Sequence, residues 1–292
     1  MQKIILATNS SKHLGMENGA VEIDRFPDGE VSVVLREDVS GREVIVIGST
    51  EPPGENLIEL SFIIHKVCTD KAAKVVAILP YFGYSRGDRE AKKGQVASAG
   101  VIAGILQSAG GRKLEVVSID VHSPKTSGFF DIPFKEISLI EDLASRFSGR
   151  KDLTVVAPDS GARERAEKFA KTLDIREIVS IQKERLSPDE VEIKEIAGKV
   201  GKRVVIVDDM VQTAGTILEV ARKLKEKGAE EISVAVTHMV YSAGGWKRLA
   251  GSELIDRVVT TNTIAPPLDL PEKFDSIDIG PAIKRVIDHT LL

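Results

Sequence analysis

Two adjacent acids followed by a run of small and hydroxyl-bearing residues form the strongest chemical signal in the sequence. Residues 203–216 read RVVIVDDMVQTAGT: an apolar run, then Asp208 and Asp209, then a turn with Thr213 and Thr216 that opens a helical pattern. The N–H groups at a helix start attract anions, and small residues let a phosphate approach them closely. Paired carboxylates suit vicinal sugar hydroxyls, directly or through Mg²⁺. Together, the two acids and the following turn favour a binding site for a phosphorylated sugar over a turn at which the two acids are simply solvated.

Four further polar residues stand beside predicted elements. His122 follows an apolar run that ends at residue 119, and Asp159 opens a helical pattern, where an N-cap would contribute about 1 kcal/mol. Lys183 and Arg185 follow another apolar stretch and open a segment that we expect to be irregular. Taken singly, a lone histidine more often has a structural role than a ligand-binding one, and a charged pair such as Lys183 and Arg185 more often lies in an exposed hairpin than in a catalytic site. Other segments must therefore decide their roles.

Short apolar runs alternate with helical patterns along the whole chain. The runs are residues 43–48, 74–79, 114–119, 153–157, 203–207 and 231–236, and the helical patterns are 97–109, 161–173 and 216–227. Continuous apolar runs are typical of strands buried on both faces, and their alternation with helices predicts parallel sheets covered by helices. The pattern occurs twice, so we predict two α/β domains with a boundary near residues 135–150.

The composition narrows the class of protein. The chain has 292 residues, 42% of them hydrophobic, which suits two domains with sizeable cores. Its net charge of −4 argues against a nucleic-acid partner. The single cysteine, Cys68, cannot form an internal disulfide, which fits a reducing compartment. Because there is no apolar run of about 20 residues and no signal-peptide pattern, we expect a cytoplasmic protein without a membrane partner.

The segment 203–216 resembles the phosphoribosyl-diphosphate signature of the type I phosphoribosyltransferase-like fold. Five further segments resemble those of ribose-phosphate diphosphokinases, also called PRPP synthetases, in the same order and with similar spacing. They are RFPDGE (25–30), PYFGYSRGDR (80–89), IDVHSPKTSGFF (119–130), APDSGA (157–162) and KER (183–185). Each piece alone is weak, whereas the ordered set covers essentially the whole chain and is specific.

This resemblance implies a fold and a reaction. We expect two similar phosphoribosyltransferase-like domains, each a mainly parallel sheet flanked by helices. Residues 1–142 would bind ATP, with a C-terminal helix at 281–292 packed on them, and residues 143–280 would bind ribose 5-phosphate. The reaction would move the β,γ-diphosphate of Mg-ATP to the anomeric hydroxyl of ribose 5-phosphate, giving PRPP and AMP. Mg²⁺ would be the cofactor, and the protein would form a homo-oligomer, a dimer or larger.

The resemblance also implies residue roles on the ATP side. Arg86 and Asp88 would line the nucleotide site, because they lie in the segment that does so in the family. Phe26, Asp28 and Glu30 match residues that contact the adenine, usually from a neighbouring subunit. Phe26 can stack on a base, and the acids can accept hydrogen bonds from the exocyclic amine.

The remaining implied roles concern catalysis, metal and sugar phosphate. Lys183 and Arg185 match a mobile arm that closes over the ATP phosphates, and His122 matches a catalytic-loop and metal-binding histidine. Asp159 matches a second metal-associated position. The expected ribose 5-phosphate contacts are Asp208, Asp209, Gln212, Thr213, Ala214, Gly215 and Thr216.

The chain departs from the family pattern at several points. Gly87 stands where a glutamine is common in the ATP segment, Gln212 where an acid is frequent, and Ala162 where a glycine is frequent. Residues 9–20 are too short and too rich in glycine for the helix usual there.

Two other functions are compatible with some of these sequence features. A phosphoribosyltransferase, which uses the diphosphate sugar, has the loop at 208–216 but needs neither the two upstream segments nor this chain length. A non-catalytic regulatory partner would keep the fold and lose active-site residues, whereas His122, Lys183, Arg185, Asp208 and Asp209 are all present here.

Overall fold

The computed structural model describes residues 3–150, 152–185 and 191–289, with the backbone alone for residues 184, 185, 191, 192 and 289. The strands are β1 (Ile4–Ala7), β2 (Val21–Arg25), β3 (Val31–Leu35), β4 (Glu43–Ile47), β5 (Lys74–Leu79), β6 (Leu114–Ile119), β7 (Phe134–Ile137), β8 (Leu153–Ala157), β9 (Ile178–Arg185), β10 (Val191–Ala197), β11 (Arg203–Val211), β12 (Glu231–Met239), β13 (Arg257–Thr261) and β14 (Phe274–Ile277). The α-helices are α1 (Glu55–Thr69), α2 (Ser98–Gly110), α3 (Ile140–Ser145), α4 (Arg163–Thr172), α5 (Gly215–Glu226), α6 (Gly245–Ala250) and α7 (Gly280–His289).

These elements form two compact units. The first comprises Met1–Ile137 together with Gly280–Leu292, and the second comprises Ser138–Ile279. The boundary expected after residue 142 would fall inside α3, whereas the units divide before that helix begins.

The first unit contains a five-stranded sheet in the order β1-β4-β5-β6-β7, with every pair parallel. Its core is built from the strands and from α1 and α2, and includes fully buried Val46, Leu60, Ala77 and Leu106. A separate antiparallel hairpin pairs β2 with β3. The C-terminal helix α7 is attached to this unit, since the ammonium of Lys3 donates a hydrogen bond to the Ile287 carbonyl.

The second unit contains a seven-stranded sheet in the order β10-β9-β8-β11-β12-β13-β14. Only the β10–β9 pair is antiparallel; the others are parallel. Successive residues of β11 point to opposite faces: Val204 and Ile206 belong to one core cluster, Val205 and Val207 to another. Burial on both faces accounts for the unbroken apolar runs in the sequence.

All six predicted strands and all three predicted helices are present, so the α/β prediction is confirmed. Two strands were predicted too short. β11 and β12 continue past their apolar runs because the ladder persists, pairing Asp208 with Val236 and Met210 with His238. The N-terminal segment forms a short 3₁₀ helix, Asn9–Leu14, and ends at Gly15 with a φ of 57°. Among the described residues, no helix is long and apolar enough to cross a membrane.

Candidate functional site

The two adjacent acids lie in the last part of β11, at the carboxyl end of the second unit's sheet. Ligands of open parallel sheets bind at this edge. Asp209 is 4% exposed, and its backbone N–H donates to Asp208 Oδ1 at 2.9 Å. The carboxyl group of Asp208 is thus held by the backbone of the strand, and Asp209 is buried beside it.

The residues after β11 form the expected loop at the start of α5. Ala214 has a φ of 62°, a left-handed conformation that is uncommon for a residue with a side chain, and it immediately precedes the helix. Its carbonyl accepts the first helical bond from Leu218 N at 3.0 Å. Thr213 is exposed, and Gly215 and Thr216 are partly exposed. The N–H groups of the first turn need partners from outside the helix, which suits an anion.

Arg165 on α4 faces the acids, and the sequence reasoning missed it. Its Nη1 lies 3.8 Å from Asp208 Oδ1, and the two side chains are 17% and 19% exposed. Burial, the largest influence, raises the pKa of Asp208 well above its ordinary value. The charges of Asp209 and Asp159 act in the same direction, and Arg165 opposes them. The three carboxyl groups therefore influence one another within the second unit.

Asp159 holds a helix start and a lysine with its two oxygens. Oδ1 accepts a hydrogen bond from Ala162 N at 3.0 Å, just before α4, and Oδ2 lies 2.7 Å from Lys183 Nζ. Burial raises the pKa of Asp159, but the hydrogen bond and charge of Lys183 and the N–H groups of Ala162 and Gly161 bring that pKa below its ordinary value. Asp159 is not the N-cap of α4, because Ala162 occupies that position, and the carboxyl group of Asp159 instead accepts from the N–H of Ala162; a metal role stays a prediction.

The segment around Lys183 was expected to be irregular, which is wrong for the residues that the structure describes. Lys183 lies within β9, which pairs antiparallel with β10, and its side chain is only 15% exposed. Tertiary pairing at the sheet edge outweighs the low apolar content of the segment. The side chain of Arg185 and residues 186–190 lie outside the described residues.

In the first unit, the segment with Arg86 and Asp88 follows β5 at the carboxyl edge of the sheet. Arg86 is exposed, while the side chain of Asp88 is 15% exposed and lies 3.9 Å from Arg89. The departure at Gly87 has a packing reason, because a Cβ built there would lie 2.1 Å from Ser98 Oγ. Any side chain at this position would displace the hydroxyl of Ser98, the first residue of α2.

His122 lies just past β6 and is exposed. It follows Asp120, which is 5% exposed with a φ of 35°, an unusual backbone conformation for aspartate. Asp120 N donates to Ile137 O at 2.9 Å, and Val121 N donates to Glu136 Oε1 at 3.0 Å. This turn is thereby held firmly to β7 and presents the histidine to solvent.

Phe26, Asp28 and Glu30 lie in the turn between β2 and β3. Asp28 Oδ1 accepts a hydrogen bond from Glu30 N at 3.1 Å, so this acid stabilises the turn. Phe26 is 53% exposed, which is unusual for phenylalanine. Next to this turn, Arg25 at the end of β2 ties the hairpin to α1, since its guanidinium lies 3.2 Å from the carboxylate of buried Glu59. An exposed ring on an anchored hairpin is available for stacking on a ligand.

No group of three or more His, Cys, Asp or Glu side chains within the described part of the chain could hold a metal. Mg²⁺ commonly uses one or two carboxylates and completes its shell with substrate phosphates and water. Asp159, Asp208 and Asp209 are carboxyl groups of this kind, and the charges of Asp159 and Asp209 act on Asp208. Within the second unit the structure thus brings together five charged side chains: Asp159, Lys183, Arg165, Asp208 and Asp209.

A mainly parallel sheet whose strand ends in adjacent acids, then a small-residue loop and a helix, defines a domain of the phosphoribosyltransferase type. A family model described as a phosphoribosyl transferase domain matches residues 134–266. A second, the N-terminal domain of ribose phosphate pyrophosphokinase, matches residues 2–110.

Individual relatives narrow this class. The chain is 36% identical to ribose-phosphate pyrophosphokinase 1 of Listeria innocua, covering 97% of this chain and 91% of the relative. It is 34% identical to ribose-phosphate pyrophosphokinase of Bacillus cereus, covering 97% and 89%. A crystal structure of phosphoribosylpyrophosphate synthetase from Mycobacterium smegmatis matches with a TM-score of 0.88 and 27% identity over 99% of both chains. This chain belongs to the ribose-phosphate pyrophosphokinase family, as the sequence resemblance predicted.

Proposed function

We propose that this chain is a ribose-phosphate diphosphokinase, which transfers the β,γ-diphosphate of Mg-ATP to the anomeric hydroxyl of ribose 5-phosphate and releases AMP. One observation carries the proposal. The strand end with Asp208 and Asp209, followed by the loop before α5, occurs in a chain that is 36% identical, over 97% of its length, to a ribose-phosphate pyrophosphokinase.

The second unit would bind the sugar phosphate. Thr213, Gly215 and Thr216 would surround the 5-phosphate with N–H and hydroxyl groups, and Gln212 and Ala214 would complete the loop. Asp208 and Asp209 would accept hydrogen bonds from the ribose hydroxyls. The exposure of the loop leaves room for a phosphate, and the burial of Asp209 keeps its carboxyl group in place.

The first unit would bind ATP. Arg86 is an exposed guanidinium at the carboxyl edge of the sheet, and arginine suits phosphates because its donors form a planar fork. Asp88 would take part in the same site. Phe26 would stack on an adenine while Asp28 and Glu30 accept from its amine, and in the family this hairpin usually serves a neighbouring subunit.

Asp159 of the second unit and His122 of the first are each proposed as a metal-binding residue for Mg²⁺, with substrate oxygens as further ligands. Bound Mg²⁺ offsets the negative charge of the transferring phosphates. The mutual effect of the Asp159, Asp208 and Asp209 charges on the pKa of Asp208 favours a cation beside them. His122 is thus proposed for metal binding and as part of the catalytic loop, without a role as general base.

The chain's own cations would stabilise the reaction. The oxygen of the anomeric hydroxyl attacks the β-phosphorus and its proton passes to water, the bond from that phosphorus to the α,β-bridging oxygen breaks, and AMP leaves with that oxygen. Phosphoryl-type transfer is accelerated mainly by positioning and by cations near the developing charge. Lys183 and Arg185 would provide these cations, with Arg86 on the nucleotide side. Because the nucleophile belongs to the substrate, no Ser or Cys nucleophile is required.

A homo-oligomer, dimer or larger, is part of the proposal. In the first unit, α1 exposes Ile58 and Phe62, at 39% and 46%, and α2 exposes Val101 and Ile105, at 51% and 38%. Each pair is four residues apart and therefore lies on one face of its helix. Exposed apolar faces of this kind are typical of protein interfaces. We place the enzyme in the cytoplasm, because both substrates are charged phosphate esters.

The decisive experiment measures AMP release from ATP by the purified chain, with ribose 5-phosphate and Mg²⁺ each present or omitted. We expect AMP and PRPP in equal amounts only when both are present. A phosphoribosyltransferase would release no AMP but would consume PRPP with a base. A regulatory protein would do neither. Either of these results would refute the proposed function.

A further inference from the structure

The back of the loop before α5 is bonded to a segment that no sequence motif indicated. This segment comprises residues 240–248 and includes the first turn of α6. Gly245 N donates to Gln212 O at 2.8 Å, and Arg248 Nη1 donates to Thr213 O at 2.7 Å. Two consecutive loop carbonyls are thus satisfied by donors from one helical turn.

The contact at Gly245 leaves no space for a side chain. A Cβ built on Gly245 would lie 2.0 Å from Gln212 O and 2.9 Å from Ala214 N. Trp246, which is 8% exposed, belongs to the same buried cluster as Ala214. The backbone of the loop therefore rests directly on the backbone of α6, and its position depends on that contact.

The contacts of α6 with the loop carbonyls bear on anion binding, because the N–H and C=O groups of a loop point in opposite directions. A loop that turns its N–H groups toward an anion turns carbonyl groups the other way, and a carbonyl without a donor is unfavourable. Here Ala214 adopts a φ of 62°, a strained conformation that its surroundings must maintain. The guanidinium of Arg248 also places a positive charge behind the loop.

We propose that Arg248 and Gly245 are positioning residues, which hold the 212–216 loop in the conformation that binds the 5-phosphate of the sugar. The inference rests on the proposed function for the identity of the ligand. It concerns the loop's support rather than its contacts with the ligand. Substituting Arg248 should therefore weaken the binding of the sugar phosphate without changing the binding of ATP.

The test compares Arg248→Met with Arg248→Lys and Lys247→Met. Methionine keeps an unbranched stem but removes the donor, whereas lysine retains one donor and the charge. Lys247 is the control for the loss of a surface cation, because it is the exposed neighbour of Arg248 on α6. Arg248→Met should raise the KM for ribose 5-phosphate about 10-fold and leave the KM for ATP and kcat within about threefold. Arg248→Lys should recover part of the loss, and Lys247→Met should match the wild type.

Calorimetric titration of ribose 5-phosphate into each protein, without ATP, separates this inference from the proposed function. In one outcome, the wild type binds ribose 5-phosphate, Arg248→Met binds it about 10-fold more weakly, and the activity assay shows no release of AMP. The inference then stands, and the proposed reaction fails. If AMP is released but the two proteins bind ribose 5-phosphate equally, the inference is overturned and the reaction stands. Equal losses for ATP and ribose 5-phosphate would also overturn it, because a general structural defect would then explain the effect.

Discussion

Lys183→Ala is the substitution that most directly tests the chemistry proposed for the second unit. Lys183 Nζ lies 2.7 Å from Asp159 Oδ2, and the side chains are 15% and 30% exposed. The lysine therefore has a structural partner in the absence of substrate, as well as a proposed role on the ATP phosphates. The structural role predicts an effect on the free energy of unfolding, and the proposed catalytic role predicts a larger effect on kcat.

The structural effect can be estimated from the pair itself. Removing one partner of a charge-assisted hydrogen bond costs about 1.5–3 kcal/mol, and partial exposure reduces this to about 1–2 kcal/mol here. Since the pKa of Asp159 is lowered in the folded state, this stabilisation is present above the ordinary aspartate pKa and is lost as the pH falls through the lowered value. The difference in unfolding free energy between wild type and Lys183→Ala should accordingly be largest at neutral pH.

The catalytic effect should be larger. Loss of a cation that acts in the transition state should lower kcat at least about 100-fold, which corresponds to about 2.7 kcal/mol. The assay is AMP release at saturating substrates, with unfolding by denaturant measured in parallel. Lys168→Ala is the matched control, because Lys168 and Glu164 form a 2.9 Å pair on α4 whose side chains are 61% and 75% exposed. That variant should lose less than about 0.5 kcal/mol of stability and no activity.

A fall in kcat of less than about threefold for Lys183→Ala would remove this residue from the catalytic machinery. Its pairing with Asp159 would then be structural only. A double-mutant cycle with Asp159→Ala should give a coupling free energy of about 1–2 kcal/mol for stability. A coupling near zero would contradict the ion pair itself.

Three further predictions test other parts of the chain. Burial raises the pKa of Glu51 from 4.5 to about 7, so the wild type should lose stability as the pH rises through that range. The stability advantage of Glu51→Gln over the wild type should therefore grow by up to about 3 kcal/mol. Denaturation at pH 4.5 and pH 8 tests this, and a constant difference between the two proteins would contradict it. Gly87→Ala should raise the KM for ATP through the contact with Ser98, and adding Ser98→Ala should restore it; failure to restore would exclude that contact as the cause. Because Thr213 and Thr216 are proposed to hold the 5-phosphate, plain ribose should have a kcat/KM at least about 100-fold lower than ribose 5-phosphate, and equal turnover would contradict the assignment.

The sheets could be predicted from the sequence because their strands are buried on both faces. A run such as residues 204–207 has no polar residue to interrupt it, and that pattern has few other physical causes. The same reasoning ended β11 and β12 too early. Asp208 and His238 are polar, but the strand ladder continues through both because the backbone bonds do not depend on side-chain polarity.

The roles of Arg165 and Gly245 could not be predicted from the sequence, because they depend on where each residue lies on its helix. Arg163 and Arg165 are two residues apart on α4 and look alike in the sequence. The Arg163 side chain is 62% exposed and pairs with Glu167, whereas Arg165 is 17% exposed and faces Asp208. Gly245 likewise has no motif around it, and only the packing of α6 against the loop reveals its importance.

Asp159 explains why an ordered set of weak segments was informative where each segment alone was not. One of its oxygens accepts from Ala162 N at the start of α4, and the other binds Lys183 on β9. Because α4 also carries Arg165, which faces Asp208 on β11, three separate stretches of sequence meet through this one helix. A substitution in any of them changes the charge balance around Asp208, so their residue types are constrained together. The APDSGA, KER and RVVIVDD segments therefore form one electrostatic unit, because the strands that carry them, β8, β9 and β11, are neighbours in the sheet order β9-β8-β11.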